Sequence, residues 1–194
     1  MGKTIRIFGW GSAAALLAAP AVAMQFTREV NWTASDFVFA AVMLATVGGA
    51  LELLMRASGG WAYRGGAAIM AIGLFLLVWM NLAVGIIGSE NNPANGLYLG
   101  VLGIGVAGAA AARLRAGGMA ATTLAMAAAQ VAIGGWALAT GAGVDGAAWP
   151  RDVIVLTSGF TGFWLAAAWL FSRAVGQGDS ADRSAPARGR WQRS

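Results

Sequence analysis

The chain has 194 residues, 58% hydrophobic and 11% charged, with a net charge of +5; a soluble domain carries roughly 25% charged residues, so the composition points to a membrane protein. There is no Cys and no His, which excludes disulfides and removes thiolate and imidazole as ligands for zinc or haem, or as nucleophiles. The basic residues flank apolar segments or lie in the C-terminal tail, where they set topology rather than nucleic-acid affinity, and the single Lys, Lys3, leaves none within the bilayer for a Schiff base.

Charges gather in short clusters between nearly charge-free stretches, each close to the roughly 20 residues that a helix needs to cross a bilayer core. Six spans are predicted, at about 7–25, 37–55, 62–88, 97–112, 118–140 and 152–172. They form one all-α transmembrane bundle over residues 1–173, followed by a basic, disordered tail at 174–194.

Lys3 and Arg6 precede the first segment, and Ala21-Val22-Ala23 near its end resembles a signal-peptide cleavage site. The apolar run continues through Gln25-Phe26, and the following loop is short, so an uncleaved helix is the preferred reading. The first linker carries Arg28, Glu29 and Asp36, and Ser35 or Asp36 can cap the amides that open segment two. Within that segment Ala41, Ala45 and Gly49 share a face. Glu52 stands four residues before Arg56, the favourable orientation for a helical ion pair. A charge in hydrocarbon is also a candidate functional group.

Segment three is long enough to tilt or to extend past the bilayer, and Asn81 lies in its outer half. The third linker contains Glu90, Asn91, Asn92, Pro93, Ala94 and Asn95. Asn92-Pro93-Ala94 spells the motif of water channels, a family of six-helix proteins in which two such motifs start two half-helices. Here there is one motif, no spare apolar half-segment, and an outer linker around it. Pro suits the first turn of a helix because its missing amide proton would be unpaired anyway, so the tripeptide reads as a helix entry with Asn92 as cap.

Segment four is rich in glycine, including Gly96 and Gly100 in a GxxxG spacing. Such a face serves a dimer or partner interface, or close packing within one chain, and in a sequence this rich in Ala and Gly the second reading is preferred. Segment five carries Gln130 near its middle, for which bonding across helices is the default. Segment six starts at Asp152, a further capping residue.

Lys and Arg favour cytoplasmic loops. Six spans with both termini inside put Arg56, Arg64, Arg113, Arg115 and the basic tail in the cytoplasm. The outer side then holds Arg28, Glu29, Asp36, Glu90, Asn92 and Asn95, a candidate binding surface. Glu52, Arg56, Asn81 and Gln130 form the candidate intramembrane polar set.

The strings VAMQFTREVNW (22–32), SDFVFA (35–40) and NLAVGIIGSENNPAN (81–95) resemble a group of small bacterial six-helix integral membrane proteins to which no reaction is assigned. The resemblance implies a bacterial inner membrane and six spans, and no reaction. No nucleophile and base stand at a meaningful spacing. The expectation is therefore a non-enzymatic accessory or binding component, without metal or cofactor, in contact with the lipid bilayer. Its partner would be a membrane protein or a second copy meeting Gly96 and Gly100. The alternative is a small transporter or proton-coupled carrier using Glu52, Asn81 and Gln130.

Overall fold

The computed structural model describes the backbone of residues 3–57 and 60–184 and the side chains of residues 7–52 and 60–177. Among these residues there is no strand. Six α-helices follow in order: α1 (Lys3–Ala23), α2 (Ala34–Ala57), α3 (Trp61–Ala83), α4 (Tyr98–Ala111), α5 (Ala116–Thr140) and α6 (Arg151–Ser184). A 3-10 turn, Pro93–Leu97, leads into α4. Five stretches are long and apolar enough to cross a membrane, in α2, in α3, in α4 together with the 3-10 turn before it, in α5 and in α6, and α1 adds a shorter one, Ile7–Ala23. The chain is a multi-pass helical bundle. The end that carries Arg64, Arg113 and Arg115 is the inner end of the charge pattern, and the end that carries Glu29, Glu90 and Asp145 is the outer one.

Most boundaries shift by a few residues from the hydropathy reading, and three of the shifts bear on the architecture. α2 starts earlier, at Ala34, where Asp36 Oδ2 accepts from both the amide and the hydroxyl of Thr33, at 2.7 and 2.8 Å. Asp36 is thus the reciprocal partner inside the first turn, as in a capping box, rather than the cap itself. α3 stops at Ala83, five residues before the predicted end, and the apolar residues that follow form a loop. α6 continues to Ser184, so residues 174–184, predicted as disordered tail, are helical. Once a helix is nucleated, adding residues is cheap, and no Pro intervenes before Pro186. Residues 185–194 lie outside the described part.

The buried core belongs to α3, α4, α5 and α6 together with the α3–α4 loop. Glycines let large side chains sit against neighbouring backbones: Gly66 faces Phe171, Gly73 faces Trp164, and Gly105 faces Met126. In lipid, where apolar side chains gain nothing by leaving their surroundings, such close contact drives association. α1 packs against α2, and α2 against α3. The buried hydrophobic residues of α1 and α2, among those described, are Ala40 and Met43 alone.

The inner α4–α5 turn is tight. Arg113 and Leu114 both take left-handed conformations, with φ of 49° and 56°, at a cost of roughly 1–2 kcal/mol per residue. Tyr63 offsets part of this by donating its hydroxyl to the Leu114 carbonyl at 2.6 Å. The Tyr63 ring stands edge-on to Phe171 at 5.2 Å, tying α3, α6 and the turn together.

Candidate functional site

The outer end is a folded cap. Gly85, with φ of 77°, turns the chain away from α3, and a Cβ there would strike the Ser89 backbone. Ile86 and Ile87 are then fully buried. Their amides need acceptors away from water, and Asn95 provides one for both. Its Oδ1 accepts from Ile86 and Ile87 at 3.0 and 2.9 Å, while its Nδ2 donates to the Ser89 carbonyl at 2.6 Å. Asn92 Oδ1 accepts from the Ala94 amide at 3.0 Å, and Pro93 opens the 3-10 turn. The Asn-Pro-Ala stretch is therefore a helix entry, as the sequence reading has it.

The α5–α6 connection closes over this loop, backbone on backbone. A Cβ on Gly88 would stand 2.8 Å from the Cα of Gly143, and one on Gly146 would stand 2.7 Å from the Cα of Gly88. Asp152 Oδ1 accepts from the Val153 amide at 2.8 Å at the start of α6.

Beside the cap lies an open groove of about 640 Å³. Phe39 of α2 and Val78, Asn81 and Leu82 of α3 form one wall; Glu90, Asn91, Asn92 and Asn95, with Leu99 and Leu102 of α4, form the other. A smaller recess of about 360 Å³ shares Phe39 and Leu82 and adds Asp36, Trp32 and Trp79. Asn81 Nδ2 donates to the Leu77 carbonyl at 3.1 Å, and its Oδ1 is buried without a partner. Glu90 is exposed, and Asn91 Nδ2 donates to its Oε1 at 3.1 Å.

The predicted outer set is thus divided. Glu90, Asn92 and Asn95 line the groove, Asp36 lines the neighbouring recess, and Arg28 and Glu29 are exposed and line neither. Asn92 and Asn95 spend their side chains on the loop itself. Phe39 and Leu82, which join the two recesses, carried no signal in the sequence, because their place depends on how α2 meets α3.

The predicted intramembrane set is dispersed. Glu52 Oε1 accepts from Trp10 Nε1 at 3.0 Å beside an apolar groove of about 400 Å³ between α1, α2 and α3. The Arg56 side chain, and with it the expected Glu52–Arg56 pair, lies outside the described residues. Asn81 belongs to the outer groove, and Gln130 is fully buried in the α3–α6 core. Among the described residues no three carboxylates come together as a metal-binding group.

The preferred reading of the segment-four glycines, close packing within the chain, holds for Gly105 and Gly108 and needs correction for Gly96, Gly100 and Gly103. Gly96, Gly100 and Gly103 have open space where a side chain would project. Gly96 borders the outer groove, and Gly100 and Gly103 are exposed, because α4 packs chiefly on α5 through Gly105 and Gly108, against Met126 and Thr122. Comparison with protein-family models, with curated proteins and with solved structures gives no match.

Proposed function

We propose that this chain is a non-enzymatic accessory or binding component of a bacterial inner membrane, both termini cytoplasmic, whose outer groove takes its ligand or partner. The observation that carries the reading is the groove itself. Phe39, Leu82, Leu99 and Leu102 supply apolar walls, and the exposed carboxylate of Glu90 supplies an acceptor at the polar side. Acceptors of this kind suit an amphiphile with an apolar body and a cationic or hydrogen-bond-donating head. The predominance of carboxylates in the outer linkers, with Glu29, Asp36, Glu90, Asp145 and Asp152 against Arg28 and Arg151, supports a cationic head. A protein partner, or a second copy, would meet the chain at Gly96 of the 3-10 turn, which borders the same groove, and at Gly100 of α4.

The carrier alternative needs Glu52, Asn81 and Gln130 to serve one path, and the three side chains occupy separate surroundings.

Native mass spectrometry of protein extracted gently from its own membrane tests the proposal. The wild type is expected to carry a stoichiometric bound mass that is reduced at least tenfold in Glu90→Gln. Equal occupancy in the two proteins removes Glu90 and the groove from the account. Asn92 and Asn95 are unsuitable probes, because replacing them disturbs the loop.

A further inference from the structure

Within the α3–α6 core a group of polar atoms is withdrawn from water and lipid alike. Gln130 is 0% exposed, and neither its Nε2 nor its Oε1 has a hydrogen-bond partner in the protein. The hydroxyls of Tyr98 and Thr157 are also buried and without partners of good geometry, and they face one another. Thr157 rests against Gly134, which is one helical turn from Gln130 on the same face of α5. One amide and two hydroxyls thus share a single stretch of core between α4, α5 and α6.

Thr157 departs from the habit of its neighbours. Thr46, Thr122, Thr123, Thr140 and Thr161 each donate to the carbonyl four residues earlier. That local bond is the usual resort of a hydroxyl in a membrane helix, where no solvent is at hand. The Thr157 hydroxyl turns inward instead, toward Tyr98 and the Gly134 side of α5. An unpaired primary amide in such surroundings is strongly unfavourable, and buried polar groups in folded proteins are almost always satisfied by protein or by ordered water.

We infer that Gln130, Tyr98 and Thr157 enclose a hydration site holding at least one ordered water molecule. A buried water needs two to four polar partners, and these three side chains supply them. Gln130 Nε2 donates to the water oxygen, and the water donates to Gln130 Oε1 or to a hydroxyl oxygen. Tyr98 is the first residue of α4, so the site lies on the outer side of the core. Gln130 lies roughly 15 Å below the outer end of α5 at 1.5 Å per residue. The inference stands apart from the outer groove, since none of the three residues lines it.

Two measurements on the full chain test it. The first is water-selective NMR in micelles on protein labelled with nitrogen-15 at glutamine, with Gln130→Leu used for assignment. A rotating-frame version separates dipolar transfer from proton exchange. A dipolar cross-peak between water and the Gln130 side-chain amide is expected. The second is the unfolding midpoint of Gln130→Met in mixed micelles. A hydrated site predicts a lower midpoint, because the water and both hydroxyls lose the amide; a dry site predicts a higher one, because an unpaired amide is removed. Absence of the cross-peak, or a raised midpoint, overturns the inference.

Discussion

The α3–α6 core and the α1–α2 pair draw on the same residues, chiefly Ala, Gly, Leu and aromatics, yet they are held together differently. In the core the packed glycines have a neighbouring side chain pressed against them, as Gly73 has Trp164, Gly66 has Phe171 and Gly108 has Thr122. In the pair, Gly9, Gly11 and Gly49 have open space around them, and Gly48 alone meets a ring, that of Trp10 at 3.2 Å. Apolar grooves of about 400 and 560 Å³ run between α1, α2 and α3, sharing Leu16, Leu44 and Phe75. The difference teaches that small residues in a membrane permit contact without producing it. Dispersion gains appear only where a complementary side chain fills the space.

That contrast can be broken most forcefully at its strongest point. Gly73→Leu is expected to lower the unfolding free energy in mixed micelles by about 3 kcal/mol, the upper part of the usual range for overpacking. Gly49→Leu, with nothing near its Cβ position, should change it by no more than about 0.5 kcal/mol. Equal losses in the two variants would show that the pair is packed as firmly as the core. The next effect belongs to the cap. Asn95→Ala leaves the buried Ile86 and Ile87 amides without their acceptor, a loss on the order of 2 kcal/mol. Hydrogen exchange at those two amides should accelerate while exchange in the middle of α5 stays slow, and an unchanged rate at Ile86 and Ile87 contradicts the assignment. The smallest effect concerns Trp10→Phe, which removes the bond to Glu52 and should cost about 0.6 kcal/mol, the average for polar contacts between membrane helices. Protease access to α1 should rise in that variant before the core melts. A cooperative loss of both parts at one midpoint would erase the distinction.

Much of this architecture was legible in the sequence, for reasons that also mark where legibility ends. Helix number and order follow from charge-free runs of bilayer length, and all six segments are helical. Their ends were less visible. Val84 to Gly88 is apolar, so hydropathy joins it to α3. The loop exists because two glycines adopt positive φ and because Asn95, in the following turn, satisfies two amides in it. The role of Asn92 was readable, since capping is local. The neighbours of a glycine are not local, and the sequence therefore does not tell the packed Gly105 and Gly108 from the open Gly96 and Gly100. Gln130 was recognisable as a deep polar residue, whereas its company with Tyr98 and Thr157 depends on the packing of three helices.

The tight contact of Gly88 with Gly143 and Gly146 has a mechanical consequence. At the outer end it pins the α3–α4 connection to the α5–α6 connection, and at the opposite end the bond from Tyr63 to Leu114 pins α3 to the α4–α5 turn. A strut fastened at both ends transmits force but does not swing. The two ties belong to the α3–α6 frame, and neither involves α1 or α2.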